Sequence, residues 1–311
     1  MLLTVSICTW NRSRLLRETL QRMTEMSVPD GIEWELLVVD NNSTDDTPAV
    51  LREFASRLPL RSIFEGRLGL SHARNAAVAQ ARGAYIIWTD DDVLVDRRWL
   101  EAYADAFERH ADAVMFGGPI LPWFEGEPPQ WLRTVFGQVD AAFAAREFAG
   151  GDVPLTDTIM PYGANIAFRR DVLKDHPFDA ALGRKGSGML SGEETTMVRT
   201  FLSSGRTGWW VSGARVQHYV PSARQSIRYL RNWYAGYGGT LVRLDAKLFG
   251  AKGTRRPLWI WREIVVSELL FLFRRVSAPP SVWIVDLKRA SIARGQFKEF
   301  GAQHDRAHET S

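Results

Sequence analysis

An α/β fold, with a mostly parallel sheet flanked by helices and followed by a basic helical extension, is predicted by three observations. Short apolar runs of strand length alternate with helical apolar stripes through the first 118 residues, the signature of a doubly wound parallel sheet. The run Ala84–Thr89 (AYIIWT) leads directly into three carboxylates, Asp90, Asp91 and Asp92. Open α/β sheets hold their ligands at such strand ends. Third, the segment from Arg224 to Phe300 carries 15 Lys/Arg against 5 Asp/Glu, while the whole chain has a net charge of only +3. The body is therefore acidic and the tail basic.

Taken in order, Leu2–Thr9 (LLTVSICT) reads as a buried strand. Asn11 is placed to cap the helix after it, whose stripe is Leu15, Leu16, Leu20 and Met23. Trp34–Val39 is a second strand ending at Asp40, and 41–47 is a polar loop before Pro48, which suits a first helical turn. Val50, Leu51, Phe54 and Leu58 give that helix its buried face, and Leu60–Phe64 is a third strand. A turn at Gly66–Gly69 opens a helix through Ala73, Ala76, Ala77 and Ala81 that stops at Gly83. The strand into the carboxylates follows, then a helix (Trp99–His110) and a strand (Ala113–Gly117). Pro122, Pro128 and Pro129 make 119–157 read as an irregular flap, and regular structure resumes over Met160–Arg170. A glycine-rich loop ends at Glu193 and Glu194, which open a helix carrying Met197, Val198, Phe201 and Leu202. Gly208–Val211 and Arg215–Tyr219 read as a closing hairpin that delivers His218.

Several classes are excluded or disfavoured. Cys8 is the only cysteine, so no intramolecular disulfide forms. After the first strand the chain runs Thr9-Trp-Asn-Arg-Ser-Arg14, without the G-x-G-x-x-G that admits a dinucleotide pyrophosphate. The amino terminus enters a strand at once and no run of 18 apolar residues exists, so a cytoplasmic chain without a spanning helix is expected. The basic tail lacks any nucleic-acid-binding motif. Three adjacent carboxylates repel one another, so either they await a hard divalent cation such as Mg²⁺ or Mn²⁺ or they form a solvated turn capping the next helix.

Four segments in order, VSICTWNR, LLVVDNNSTDDT, GLSHARNAAVAQARGAYIIWTDDD, and GANIAFRRDVL with SGEETTMVRTFLSSG, resemble the family 2 glycosyltransferases, inverting enzymes of the GT-A fold. The resemblance spans residues 1–220, with 1–118 as a nucleotide-sugar half and 119–220 as an acceptor-side half. It implies that Thr9, Asn11, Arg12, Asp40, Arg67, Arg74, Asn75, Asp90 and Asp91 bind a nucleotide-sugar donor, a UDP-sugar first. Asp92 and His218 are then metal ligands, and Tyr162, Gly163 and Asn165 border the acceptor. Where many members carry Glu-Asp, this chain has Glu193-Glu194; the second acidic position makes Glu194 the expected general base, with Glu193 as the alternative. Trp88, Tyr162 and Trp209 either stack on sugars or belong to the core. A sugar nucleotidyltransferase is disfavoured because the first loop lacks a glycine-rich basic stretch, and a non-catalytic sugar-binding regulator because both glutamates are present.

Residues 221–311 form the basic extension. Leu258–Phe273 (LWIWREIVVSELLFLF) is intensely apolar yet interrupted by Arg262, Glu263 and Glu268. It reads either as a helix lying in the plane of an anionic membrane, on the inner face of the cell envelope, or as a helix buried in a homodimer or against the rest of the chain. A glycan or lipid-linked acceptor fits either arrangement.

Overall fold

The first strand, β1 (Leu2–Thr9), is buried along almost its whole length, as its unbroken apolar and β-branched run requires of a strand covered on both faces. The computed structural model describes residues 1–179, 193–244 and 258–309. These fall into two compact units, 1–123 with 144–219, and 124–143 with 220–311.

In the first unit β1 is followed by α1 (Ser13–Met23), β2 (Glu33–Asp40), α2 (Thr47–Phe54), β3 (Leu60–Phe64), α3 (Leu70–Gln80) and β4 (Tyr85–Asp90). β5 (Val93–Val95), α4 (Trp99–Arg109), β6 (Met115–Gly117) and β7 (Ile120–Phe124) come next. The first four strands, in the order β3-β2-β1-β4, are all parallel. After β7 the chain forms α5 (Gln130–Val139) in the second unit and returns to the first for β8 (Val153–Pro154) and β9 (Asn165–Arg169). Beyond them are α6 (Arg170–Lys174), α7 (Glu193–Ser203), β10 (Gly208–Trp210) and β11 (Val216–Val220). β9 enters the main sheet antiparallel, between β4 and β6, and β10 and β8 complete eight strands. A separate three-stranded sheet has the order β5-β11-β7, its first strand following β4 by a two-residue turn.

Two apolar cores cover the faces of the large sheet. One packs Leu16, Leu20, Trp99, Tyr103 and Phe107 against Leu3, Val5 and Ile7. The other packs Ala73, Ala77, Phe168, Val198 and Phe201 around Trp88 and Ile86. Gly83 is fixed by space: a Cβ there would overlap the backbone of Leu3 and Thr4, which β4 must approach to pair with β1.

The second unit contains α5, a 3₁₀ turn (Asp140–Phe143), α8 (Ile227–Leu244), α9 (Leu258–Ser277) and α10 (Pro280–Glu309). Leu132, Val135, Val139 and Phe143 share one core with Leu230, Phe271, Trp283, Ile284 and Leu287. α8 and α10 cross backbone to backbone, because a Cβ at Gly238 or Gly295 would collide with the carbonyl of Ile292 or Ala235.

Four expectations are corrected. The closing hairpin does not form: β10 pairs with β6 and β8 in the large sheet, whereas β11 pairs with β5. The segment 119–157 is not an irregular flap, since it contributes β7, α5 and β8, and residues 124–143 belong with the carboxyl-terminal helices rather than with the acceptor-side half. Its prolines flank the helix instead of breaking it, Pro129 standing at the amino-terminal cap of α5. Finally, Asn11 does not cap α1. Its backbone is left-handed (φ 53°), and the Ser13 amide donates instead to Asp45 Oδ2 at 2.8 Å.

Candidate active site

The carboxylates converge because β4 ends in a tight turn into β5. Asp91 and Asp92 are buried, and Asp90 is half-buried. The turn is held from beneath by Thr19 of α1, whose hydroxyl donates to the Asp91 carbonyl (3.1 Å) and accepts from the Val93 amide (3.2 Å). From above, the Tyr219 amide donates to the Asp92 carbonyl at 2.9 Å. His218 pairs in register with Val93 across the small sheet, so the β5–β11 pairing brings it to the carboxylates. Its Nε2 lies 3.4 Å from Asp92 Oδ1. One ligand atom each from Asp90, Asp92 and His218 falls within a mutual 4.8 Å.

Positive charge is already present. Arg12 Nη1 donates to Asp92 Oδ2 at 2.6 Å and to Asp91 Oδ1 at 3.0 Å, and Thr9 Oγ1 donates to Asp91 Oδ2 at 2.8 Å. Burial and the neighbouring Asp92 push the Asp91 carboxyl up to about 7, against the opposing pull of Arg12 and Thr9. Burial opposes the charge on Arg12, yet Asp91 and Asp92 outweigh it and raise its pKa further. Asp91 is thus a structural member of the cluster, tied to β1 and α1.

Two loops beside the cluster are braced by polar side chains. Asp40 ends β2 buried and accepts from the Ser43 amide at 2.9 Å. Asn11 links the loops after β1 and β2, accepting from the Thr44 amide at 2.7 Å and donating its own amide to Ser43 Oγ at 3.0 Å. Asn41 organises the next loop, donating to the carbonyls of Glu65 (2.9 Å) and Arg67 (2.7 Å) while accepting from the Gly69 amide (2.8 Å). Sequence reasoning passed over Asn41 and Asp45; their signal was an Asx-rich loop with two glycines downstream. Arg67 is exposed and bound to Glu65, whose carboxyl that pairing lowers to about 2.

The second charged centre lies on α3 and α7. Arg74 is almost fully buried, with its guanidinium 5.4 Å from the Phe178 ring and 5.9 Å from that of Trp88. Its Nη1 lies 3.5 Å from Glu194 Oε2, and the Gly163 amide donates to Glu194 Oε1 at 3.2 Å. Gly163 leaves room for this pair: a Cβ there would stand 2.7 Å from Glu194 Oε1 and press on Arg74, so both side chains would have to shift. The side chain of Glu193 lies outside the described residues, as does the glycine-rich loop 182–192.

Other expected residues are placed differently. Asn165, expected beside the acceptor, is fully buried; it accepts from Trp99 Nε1 (2.9 Å) and Tyr103 Oη (2.8 Å) and donates to the carbonyls of Pro119 and Ala214. With both ends of its amide engaged it pins the core rather than a ligand. Asn75 likewise exchanges two hydrogen bonds with the Phe178 backbone (2.9 and 2.8 Å). Trp88 is core, and Trp209 stacks on His110 at 3.7 Å. Tyr162 remains half-buried beside Arg146, which lies 5.3 Å from its ring centre.

The family model for glycosyl transferase family 2 matches residues 4–176. Among curated proteins, the chain is 25% identical over 251 residues to the glucosyl-dolichyl phosphate glucuronosyltransferase of Haloferax volcanii, covering 78% of each chain. It is 26% identical over 248 residues to the succinoglycan biosynthesis protein ExoM of Rhizobium meliloti, covering 78% of this chain and 75% of that one. In fold it is similar to the mannosyltransferase PcManGT of Pyrobaculum calidifontis, solved with GDP-Man and Mn²⁺ (TM-score 0.54, 20% identity, 98% of this chain and 75% of that one). It is also similar to residues 1–349 of S. aureus TarS, solved with UDP-GlcNAc (TM-score 0.53, 16% identity, 97% and 92%), and spans 39% of a longer TarS chain.

Proposed function

Because the chain belongs to glycosyl transferase family 2, we propose that it moves a hexose-type sugar from a nucleoside diphosphate sugar to a hydroxyl of a glycan or lipid-linked acceptor, with inversion. The observation that carries this reading is the convergence of Asp90, Asp92 and His218 at the carboxyl end of β4. Two carboxylates and an imidazole are a donor set that suits Mn²⁺ or Mg²⁺. The fit is supported by the buried imidazole of His218, whose Nε2 faces Asp92 Oδ1 at 3.4 Å. When bound, such a metal supplies positive charge to the departing diphosphate.

This chain's own residues account for the remaining tasks. Arg12 is a permanent cation at the mouth of the carboxylates, suited to a phosphate oxygen, and Asp40 and Asn11 line the two loops that would take the nucleoside. Glu194, oriented by the Gly163 amide and Arg74, takes the proton of the attacking hydroxyl; the sugar bond then forms to the acceptor oxygen as the diphosphate leaves from the opposite face. The donor is a UDP-sugar in the first instance, although a structural neighbour binds GDP-Man. The relatives' names, a dolichyl phosphate glycan and succinoglycan biosynthesis, support an acceptor of the surface-polysaccharide or lipid-linked class, met at the cytoplasmic membrane face.

A panel of nucleotide sugars screened for thermal protection with and without Mn²⁺ tests the proposal. The true donor protects only with metal, because its diphosphate would bind through the cation and a ligand of the folded state stabilises by RT ln(1 + [L]/Kd). Asp92→Asn removes that metal-dependent protection. Undiminished protection in the variant would overturn the assignment.

A further inference from the structure

The apolar residues of α9 do not all face the helices it packs on. Ile260, Ser267 and Phe271 are buried, whereas Leu258, Trp261, Leu269, Leu272, Phe273 and Val276 are 56 to 88% exposed. At 100° per residue these six, with Val266, form a continuous stripe about 140° wide along one side of a helix about 30 Å long. Single exposed apolar residues are ordinary, but an apolar stripe of this extent marks an interaction surface.

The charges around the stripe say what it meets. Between Leu258 and Ala302, every exposed ionisable side chain is cationic, among them Arg262 inside the stripe, Arg275 at its edge and Arg289 on α10. The four acids of this stretch, Glu263, Glu268, Asp286 and Glu299, are all buried or half-buried. Glu268 is bound by Arg231 and Arg294, Asp286 by Arg274, and Glu299 by Arg243. The acid has been drawn inward, so what this face presents outward is apolar and positive together. A second copy of the chain is a poor occupant, since a two-fold interface would set Arg262 and Arg275 against their own mates. No helix among the described residues is long and apolar enough to cross a membrane.

We infer that α9 lies in the headgroup layer of an anionic bilayer, with Leu258, Trp261, Leu269, Leu272, Phe273 and Val276 toward the acyl chains and Arg262 and Arg275 on lipid phosphates. Trp259 and Trp261, 52 and 60% exposed near the helix start, stand where indole rings favour the interface. This reading concerns where the protein works, and it stands or falls without any assumption about donor or acceptor.

Sedimentation of the full chain with vesicles tests it. Vesicles containing 30 mol% phosphatidylglycerol are expected to carry the protein down at low salt, while neutral phosphatidylcholine carries at least tenfold less. Leu269→Glu with Phe273→Glu, both at exposed positions, abolishes the binding while leaving the melting temperature in place. Arg262→Gln with Arg275→Gln weakens it about tenfold and flattens its salt dependence. Absence of binding to the anionic vesicles overturns the inference, as does binding that the Leu269/Phe273 variant retains. A dimer in size-exclusion chromatography that the same variant dissociates, without vesicle binding, would assign the stripe to a second copy instead.

Discussion

At the level of single residues, the carboxylate triplet was legible because three adjacent aspartates after an apolar strand have few other uses, but their division of labour was not. Which carboxylate faces His218 depends on β11, and no local pattern in the sequence says that His218 pairs beside Val93. Arg74 was legible as a cation near the site and illegible as the partner of Glu194, a contact spanning 120 positions. That contact makes a sharp prediction. Glu194→Gln keeps donor affinity and lowers turnover by about 10²-fold or more, the usual scale for a general base, whereas Glu193→Gln has the smaller effect on kcat. Gly163→Ala mimics the first result while keeping both glutamates in the chain: the new methyl pushes the Glu194 carboxyl and the Arg74 guanidinium aside rather than any backbone. Steady-state kinetics and melting temperature together check it. A fall in kcat at unchanged stability is expected, and normal turnover in both Glu194→Gln and Gly163→Ala would remove Glu194 from the mechanism.

Strands and helices were read well where their period is long and clean, as in β1, β2, β4 and α4. Pairing was misread where a strand is only three residues long: β10, Gly208–Trp210, was legible as a strand but has the local look of a hairpin arm, and its partners in the large sheet are β6 and β8. Prolines misled in the same way, because Pro128 and Pro129 start a helix as readily as they break one. One polar network ties the parallel strands together and carries a pH signature. Glu35 of β2 accepts from Thr4 Oγ1 of β1 (2.8 Å), from the Arg82 amide before β4 (2.7 Å) and from Arg61 of β3 (3.0 Å). Burial pushes its carboxyl up, but those donors outweigh burial and hold it below the usual carboxylate range. A carboxyl depressed in the folded state stabilises it above the unfolded pKa, and that contribution is lost as pH falls below about 4. Glu35→Gln therefore costs about 1–2 kcal/mol at pH 7. Urea titrations of both proteins between pH 7 and pH 3 should converge at the acid end. A penalty independent of pH would assign the loss to packing instead.

For the molecule as a whole, sequence order suggested a catalytic domain closed at residue 220 with an appended tail; the two units do part between Tyr219 and Val220, but residues 124–143 group with the tail. The chain leaves the first unit at 124 and returns to it at 144, which no composition shift announces, since α5 carries a buried apolar stripe (Leu132, Val135, Val139) just as α2 and α4 of the first unit do. The consequence is a prediction about truncation. A chain stopped after Tyr219 loses Leu230, Phe271, Trp283, Ile284 and Leu287, and leaves bare the apolar face of α5 and the 3₁₀ turn after it, formed by Leu132, Val135, Val139 and Phe143. Four large apolar side chains returned to water, at about 2 kcal/mol each, make that fragment aggregate or bind hydrophobic dyes. Excision provides the control. Ile120 and Arg146 exchange both backbone hydrogen bonds, at 2.7 and 2.8 Å, so the chain ends at 123 and 144 lie close enough for a short glycine-serine linker. A protein ending at 219 with 124–143 replaced by that linker should be soluble, melt cooperatively and retain metal-dependent donor protection, while simple truncation does none of these. Cooperative melting and donor protection in both fragments alike would show that α5 does not depend on the carboxyl-terminal helices, and would return residues 124–143 to the first unit.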